Sequence, residues 1–545
     1  MKKNDYKVAY LSLEIALESS LKTYAGGLGV LGGDILKSAA DKGFPMVGIS
    51  LLNRYGYFKQ TVDSRGRQTA SYNKFRPTKE LKKLSARISL PLKDRLVQVG
   101  VWRMNIVGPN NFIVPVYFLD TNLKENDVEA RRLTDELYGG DAINRLQQEI
   151  ILGRGGLKML HRLGYRNIKT THINEAHGAL AGVELYLRTK SQKFSEKISA
   201  VKSQLAFTTH TILYQNENIF TPETLLAYQP DFPIDIINKL VENGKIRFMD
   251  LAAFLAGRIN AVSALHRRAA RKIFLPYKLI SITNGVNSYF WTSPEMKKLY
   301  NFYLPEWRCR TSLLKKAARI PLSDIWEAHQ SAKRRLFSFI KKKTGTQLDL
   351  AVFTIGFARR FVTYKRPLLL FSDLEKLKSL SNFGRGLQII YAGKAHPRDK
   401  VGQKLIQEIH SLKKKLSLDI KIVFLADYDL SQAQLMTAGV DLWLNTPLPP
   451  QEASGTSGMK AAHNGVPQLS TADGWWPEAC VIGKTGWLIK EKGGLNLYDV
   501  LENKIMPIYY NRPEKWQRIM RSTIAINAPR FNTGRALEEY IRRMY

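Results

Sequence analysis

The strongest constraint in this sequence is a series of short, almost uniformly apolar runs, each followed by a longer stretch with helical spacing. Val8–Leu13, Met46–Leu52, Thr170–Ile173, Gln204–Thr208, Ala351–Phe357, Leu387–Ala392 and Ile420–Leu425 are the clearest of these runs. A strand that is apolar on both faces fits a parallel sheet covered by helices on each side. Alternation of such strands with helices predicts two doubly wound, Rossmann-like α/β domains.

The junction is expected between about residues 290 and 350. Trp291-Thr-Ser-Pro294 reads as a break. Ser323 or Asp324 is expected to cap a helix whose apolar positions are Ile325, His329, Ala332, Leu336 and Phe339. A lysine run, Lys341–Lys343, closes it with Gly345 behind, and a new strand starts near Ala351. The expected domains are therefore residues 1–310 and 311–545. Ligands of such folds bind beyond the carboxyl ends of the strands, so the site is expected in a cleft which the two domains face.

Composition narrows the class. Of 545 residues, 44% are hydrophobic, 10% aromatic and 24% charged, which excludes a disordered, collagen-like or disulfide-stapled chain. Cys309 and Cys480 are too few for a cysteine zinc site and suit a reducing compartment. The start, MKKNDYKVAYLSLE, has the basic opening of a signal peptide, but its apolar stretch is short and Glu14 interrupts it. No run of 18 apolar residues occurs. A cytoplasmic protein without a membrane partner is expected.

The net charge is 83 − 47 = +36. An anionic partner is one explanation. The basic runs favour a blander one, because Lys341–Lys343 and Lys413–Lys415 close helical segments, where cations complement the helix dipole. They lack the interleaved aromatics of a single-strand-binding groove, so no specific nucleic-acid partner is expected.

Four segments carry chemistry. Gly26-Gly27-Leu28-Gly29 precedes a helix ending near Gly43, and exposed N–H groups there could meet an anion. It is neither a Walker loop nor a dinucleotide fingerprint. Gly356-Phe-Ala-Arg359-Arg360-Phe-Val-Thr-Tyr364-Lys365-Arg366 sets four cations directly behind an apolar strand, where an oxyanion would sit; a solvated charge run is an even alternative. The third, Glu452-Ala-Ser454-Gly455-Thr456-Ser457-Gly458-Met459-Lys460, leads small residues into a helix carrying a lysine. Such a loop can cradle a phosphate, and a desolvated lysine there would have a lowered pKa and could form an imine. Bare spacing leaves open a capped helix with a surface lysine. The fourth is a set of polar turns after strands: His172-Ile-Asn174-Glu175-Ala-His177, Thr209-His210-Thr211 and Thr283-Asn284-Gly285. A lone histidine is more often structural than catalytic, and a metal at His172 and His177 lacks a convincing third ligand.

Taken together, these stretches resemble the α-glucan (glycogen, starch and maltodextrin) phosphorylases, in their short bacterial and archaeal branch. The matching segments are YLSLEIALESSLKTYAGGLGVLGGDILKSAADKGFP, THINEAHGALAGVELY, LAFTTHT, ITNGV, IGFARRFVTYKRPLLLF, YAGKAHP, VFLADYD, EASGTSGMKAAHNGV and LSTADGWW, in family order from about residue 8 to 480.

The resemblance implies a retaining glycosyltransferase of the two-domain GT-B architecture, with pyridoxal 5′-phosphate as cofactor and no metal. Lys460 matches the lysine that carries the cofactor. Ser454, Gly455 and Thr456 match the loop touching cofactor phosphate and glucose; Arg359 and Tyr428 match further cofactor neighbours. Arg360 and Lys365 match the cations holding inorganic phosphate, and Gly27 and Leu28 the loop approaching that phosphate and the glucosyl residue. Glu452, His210 and Asn284 match sugar contacts, and His177 lines the acceptor path. The implied reaction is reversible phosphorolysis of terminal α-1,4-glucosyl residues of glycogen or maltodextrin to glucose 1-phosphate. Two adjacent phosphates share a proton, so one can protonate the leaving oxygen while the cofactor phosphate resupplies it. No carboxylate pair is then needed, whereas a hydrolase would require two positioned acids.

Departures accompany the match. The chain begins almost at the first core strand, so control by AMP or phosphorylation is not expected; a homodimer is expected from the resemblance alone. After His210, Thr-Ile-Leu-Tyr-Gln-Asn-Glu replaces the usual proline and second histidine. Two other readings remain: a nucleotide-sugar-dependent glucan synthase of the same fold, and a catalytically degenerate glucan-binding protein.

Overall fold

The computed structural model describes residues 2–75, 81–211, 218–490 and 495–545, so the divergent segment 212–217 lies outside the described residues. The chain packs as two units. The first comprises Met1–Tyr57, Tyr72–Thr283 and Ala536–Tyr545; the second comprises Phe58–Ser71 and Asn284–Arg535.

Among the described residues, the first unit is built on a nine-stranded sheet. From edge to edge its strands are Leu279–Ser281, Arg258–Ala261, Leu205–Thr208, Thr170–Asn174, Val8–Ser12, Met46–Leu51, Ile113–Asp120, Arg95–Val107 and Lys82–Leu92. The first seven run parallel and the last two are antiparallel. Val8–Ser12 is central and buried throughout, with Leu11 in register with Ile49 on one side and Ile173 on the other. Each such buried aliphatic chain contributes about 1.5–3 kcal/mol.

The second unit holds a six-stranded, all-parallel sheet in the order Lys421–Leu425, Leu387–Ala392, Phe353–Ala358, Leu442–Asn445, Gln468–Thr471 and Gly486–Ile489. No helix among the described residues is long and apolar enough to cross a membrane.

Three local expectations change. The glycines of Gly26–Gly29 do not form a loop ahead of a helix; Gly26 is itself the N-cap and the helix runs Gly27–Lys42, closed by Gly43 at φ +66°. The long helix of the second unit spans Leu322–Thr344, so Ser323 and Asp324 sit in its first turn and Pro321 takes the cap position. Asp324 accepts instead from Tyr303 Oη at 2.6 Å. Finally, the packing changes unit at Thr283/Asn284, ahead of the expected 310/311 boundary. Met296, Tyr300 and Trp307 bury themselves in one core with Ile325, Phe353 and Ile389, which draws residues 284–310 into the second unit.

Each unit is completed by a segment distant in sequence. The hairpin Lys59–Val62/Gln68–Ser71 belongs to the second unit, where buried Gln60 donates from Nε2 to Gly393 O at 3.0 Å and Gln68 Nε2 donates to Ala395 O at 2.8 Å. The helix Thr533–Arg543 brings Tyr540 and Tyr545 into the core of the first unit, with Tyr545 Oη 2.7 Å from His172 Nδ1.

Candidate active site

In the second unit, Phe353–Ala358 ends at Arg359, where the chain leaves the sheet. Arg359 and Lys365 turn back onto the same oxygen of Glu452: Arg359 Nη2 donates to Oε2 at 2.7 Å, and Lys365 Nζ pairs with the same atom. All three side chains are at least nine-tenths buried. Lys365 closes a 3-10 turn, Thr363–Lys365, and its ammonium lies 4.5 Å from the centre of the Tyr364 ring. Arg360 is exposed and hydrogen-bonds Tyr364.

The electrostatics follow from two cations sharing one buried anion. Burial alone would push the Glu452 carboxyl up, but Lys365 and Arg359 outweigh it and hold it at about 2. Burial, then Arg359, pulls Lys365 down to about 7 despite Glu452. The cluster therefore carries surplus positive charge, and a bound dianion would favour the charged lysine.

The loop that presents Glu452 is clamped by the turn Asp473–Trp475. Asp473 Oδ2 accepts the Glu452 N–H at 2.8 Å and Oδ1 accepts the Gly474 N–H at 2.8 Å. Trp475 N–H donates to Ser454 O at 2.9 Å. Gly474 adopts φ +58°, and a Cβ there would lie 2.3 Å from Ser454 O, so only glycine allows this approach. Burial, and then the neighbouring Glu452 charge against the stabilising N–H bonds, leave the Asp473 carboxyl raised to about 6.

Beyond the loop, Gly455 takes φ +79°, Thr456 caps the short helix Ser457–Ala462, and Lys460 lies buried within it. Lys460 Nζ stands 3.9 Å from the centre of the Trp291 ring. Tyr428 packs against the apolar cluster that contains Ala461 and Trp443. Several buried polar atoms have no hydrogen-bond partner among the described residues: Arg359 Nε and Nη1, Ser454 Oγ and Asn284 Oδ1.

In the first unit, the turn after Thr170–Asn174 organises His210. Asn174 Oδ1 accepts from His210 Nε2 at 2.8 Å, while Glu175 Oε2 accepts the His210 N–H at 2.8 Å. Burial, with His266 and His172 nearby, drops the His210 ring to about 3, so it is neutral with Nε2 protonated. Asn174 Nδ2 also reaches Leu28 O at 3.4 Å, at the start of the glycine helix. Glu14 fixes that start: Oε2 accepts from Ala25 and Gly26 N–H at 2.6 and 3.1 Å, and Oε1 accepts from Tyr138 Oη at 2.8 Å. Gly27 faces open space. His177 is neutral, pulled to about 3 by burial and Arg145, and its buried Nδ1 has no partner. His172 is different: Tyr545 and Thr208 occupy both ring nitrogens in a fully buried setting, which makes it core.

The structure thus joins Arg359, Lys365 and Glu452 in one cluster and ties His210 and Leu28 through Asn174. Sequence reasoning passed over Asp473, Trp291, Glu14 and Tyr138. Each acts across 21 or more positions, or on backbone N–H groups, and no local spacing marks them as site residues; Glu14, Trp291 and Asp473 lie in stretches that stand out for other reasons.

Two α/β units on largely parallel sheets, one with a buried cation pair behind a strand end, define a glycosyltransferase-type protein of the GT-B class. The sequence model for the starch synthase catalytic domain matches residues 7–305, and that for carbohydrate phosphorylase matches residues 232–479. The maltodextrin phosphorylase of Thermococcus litoralis is 35% identical over 99% of this chain and 70% of its own length. The glycogen phosphorylase of Aquifex aeolicus is 35% identical over 99% of this chain and 86% of its own, and that of Mycobacterium tuberculosis is 31% identical over 99% and 70%. The chain belongs to the carbohydrate phosphorylase family.

Proposed function

We propose that this protein is an α-1,4-glucan phosphorylase that uses pyridoxal 5′-phosphate, converting terminal glucosyl residues and inorganic phosphate reversibly into glucose 1-phosphate with retention. The observation that carries this reading is the Arg359–Glu452–Lys365 cluster with its unused donors. Arg359 Nε and Nη1 and Ser454 Oγ are buried without partners, and all three can donate to phosphate oxygens. That donor set, with the buried primary amine of Lys460, fits the cofactor.

Lys460 holds the cofactor; Arg359, Ser454, Gly455, Thr456 and Tyr428 surround it. Bound there, pyridoxal 5′-phosphate supplies a phosphate group that can give a proton to the substrate phosphate and take it back. Arg360 and Lys365 hold inorganic phosphate, Lys365 being drawn to its charged form by that dianion. Glu452, ionised throughout the working range, accepts from sugar hydroxyls while keeping Arg359 and Lys365 in place. Asn284 Oδ1 is an unused acceptor for a further hydroxyl. His210, neutral and held by Asn174, orients the sugar and carries no proton in the reaction. Gly27 and Leu28 offer a side without obstruction, and His177 contacts the acceptor chain.

The test is incubation with maltodextrin and phosphate, with and without added cofactor, and assay of glucose 1-phosphate. The holoenzyme should also show a near-ultraviolet band that borohydride fixes to Lys460. No glucose 1-phosphate in either incubation rejects the reading. The starch synthase match over residues 7–305 favours one second reading, a nucleotide-sugar-dependent glucan synthase. A colourless preparation that extends glucan from a nucleotide sugar would establish it.

A further inference from the structure

Lys460 and Trp291 meet at 3.9 Å, yet neither is placed by its own element. Lys460 lies in a helix of six residues, Ser457–Ala462, and Trp291 ends one of four, Ser288–Trp291. Helices this short are not stable alone, so contacts from outside set where the two side chains stand. Two consecutive residues behind the first helix, His463 and Asn464, make such contacts, and both are fully buried.

One amide reaches both backbones. Asn464 Nδ2 donates to Trp291 O at 2.9 Å and to Lys460 O at 3.0 Å, and Oδ1 accepts the Ser293 N–H at 2.7 Å. Ser293 in turn caps the helix Pro294–Tyr303. Asparagine suits this place because two donors and an acceptor lie in one rigid plane. Aspartate would keep the Ser293 bond but set a carboxylate against two carbonyl oxygens. His463 makes a second link. Burial lowers its ring to about 4, so it is neutral. Met459 O accepts only, so Nδ1 donates to it at 2.8 Å and Nε2 accepts from Ser288 Oγ at 3.0 Å. Positions 459 and 460 are thereby tied to positions 288–293.

We propose that Asn464 is a positioning residue, whose amide holds the Lys460 amine against the Trp291 indole and so presents it in one orientation to the cofactor. This rests on the reading above that Lys460 holds pyridoxal 5′-phosphate. The indole face attracts the ammonium and covers it on one side. That contact lasts while the two backbones keep their register, and Asn464 bonds the carbonyl of each contacting residue. A shift of about 1 Å at a reacting group is enough to lose about a hundredfold in rate. Asn464 therefore acts through Lys460 and Trp291.

The experiment treats the full-length protein, freed of cofactor, with acetic anhydride and follows each lysine by mass spectrometry. Exposed Lys415 is the reference for reagent, and buried Lys333 of the same unit is the reference for general loosening. In Asn464→Asp the acetylation rate of Lys460 should rise about tenfold relative to Lys415, with Lys333 unchanged. Trp291→Phe should raise it as well, and the double variant should exceed neither single one. No rise in Asn464→Asp, an equal rise at Lys333, or multiplied effects in the double variant would overturn the proposal. Should Asn464→Asp fail to fold, Asn464→Ser, whose hydroxyl is too short to reach both carbonyls, is read in the same way. On adding pyridoxal 5′-phosphate back, the near-ultraviolet band should grow about tenfold more slowly in the variant than in the wild type; equal rates also overturn the proposal. If the wild type takes up no cofactor, the reading of Lys460 fails separately, and the acetylation ratios decide whether Asn464 holds the amine.

Discussion

The ammonium of Lys460 sits 3.9 Å from the centre of the Trp291 indole. Residues 169 positions apart (460 − 291) thus share one buried contact, and the indole gives the amine a cation–π partner on an apolar surface. Lys460→Ala should leave the fold intact and abolish both the near-ultraviolet band and phosphorolysis. Lys460→Arg keeps the charge over the ring but not the primary amine, so it should be equally inactive. A variant that still releases glucose 1-phosphate refutes the assignment of Lys460.

Glu452 pairs with two buried cations at once. Glu452→Gln should therefore destabilise the second unit by about 3–5 kcal/mol, because Arg359 and Lys365 would remain buried beside each other without an anion. Thermal melting measures this. The carboxyl is held at about 2, below its unfolded value, so its contribution is present above about pH 4.5 and is lost as pH falls toward 2. Glu452→Gln should show less acid sensitivity over that interval.

Lys365 sets a basic limb. Its folded value of about 7 lies below the unfolded one, so the charged form disappears as pH rises through neutrality. KM for phosphate should rise between about pH 6 and 8, whereas Lys365→Arg, always charged, should flatten that limb. An unchanged limb in Lys365→Arg would remove Lys365 from phosphate binding.

Asp473 holds the Glu452 and Gly474 N–H groups. Asp473→Ala frees the loop and should raise KM for glucan and phosphate together. Asp473→Asn, similar in size but with only one acceptor oxygen, should restore part of that loss. Equal defects in the two variants would argue against a positioning role.

Two glycines of one helix separate fold from function. A Cβ on Gly33 would meet Ala16 O at 1.8 Å, so Gly33→Ala should cost about 1–3 kcal/mol. Nothing lies within 4 Å of a Cβ on Gly27. Gly27→Ala should melt like the wild type yet lose about tenfold or more in phosphorolysis through misplacement of substrate.

Much of this architecture was legible because buried parallel strands announce themselves. Val8–Ser12, Leu387–Ala392 and Lys421–Leu425 fall within a residue or so of their apolar runs. The antiparallel pair Lys82–Leu92/Arg95–Val107 was not, since half-exposed strands at that side of the sheet mix polar and apolar residues without a clean run. The four-residue strands Leu442–Asn445 and Gly486–Ile489 did not stand out, although Leu205–Thr208, equally short, did. Within the site, the cations behind Phe353–Ala358 were visible as a cluster, but their convergence on Glu452 spans 93 and 87 positions and is fixed only by sheet order. The helix start at Gly27 was misplaced because a glycine-rich segment has poor intrinsic helicity; packing of Leu31, Ile35 and Leu36 overrides it.

Neither unit is a continuous stretch of chain. The Phe58–Ser71 ribbon emerges from the ribosome more than two hundred residues before the sheet it docks on, and Ala536–Tyr545 follows Val8 by more than five hundred residues to finish the core that Val8 begins. A nascent polypeptide cannot complete the first unit until Ala536–Tyr545 has been made. Cutting the gene at codon 283 would therefore yield two fragments, each missing a piece that the other encodes.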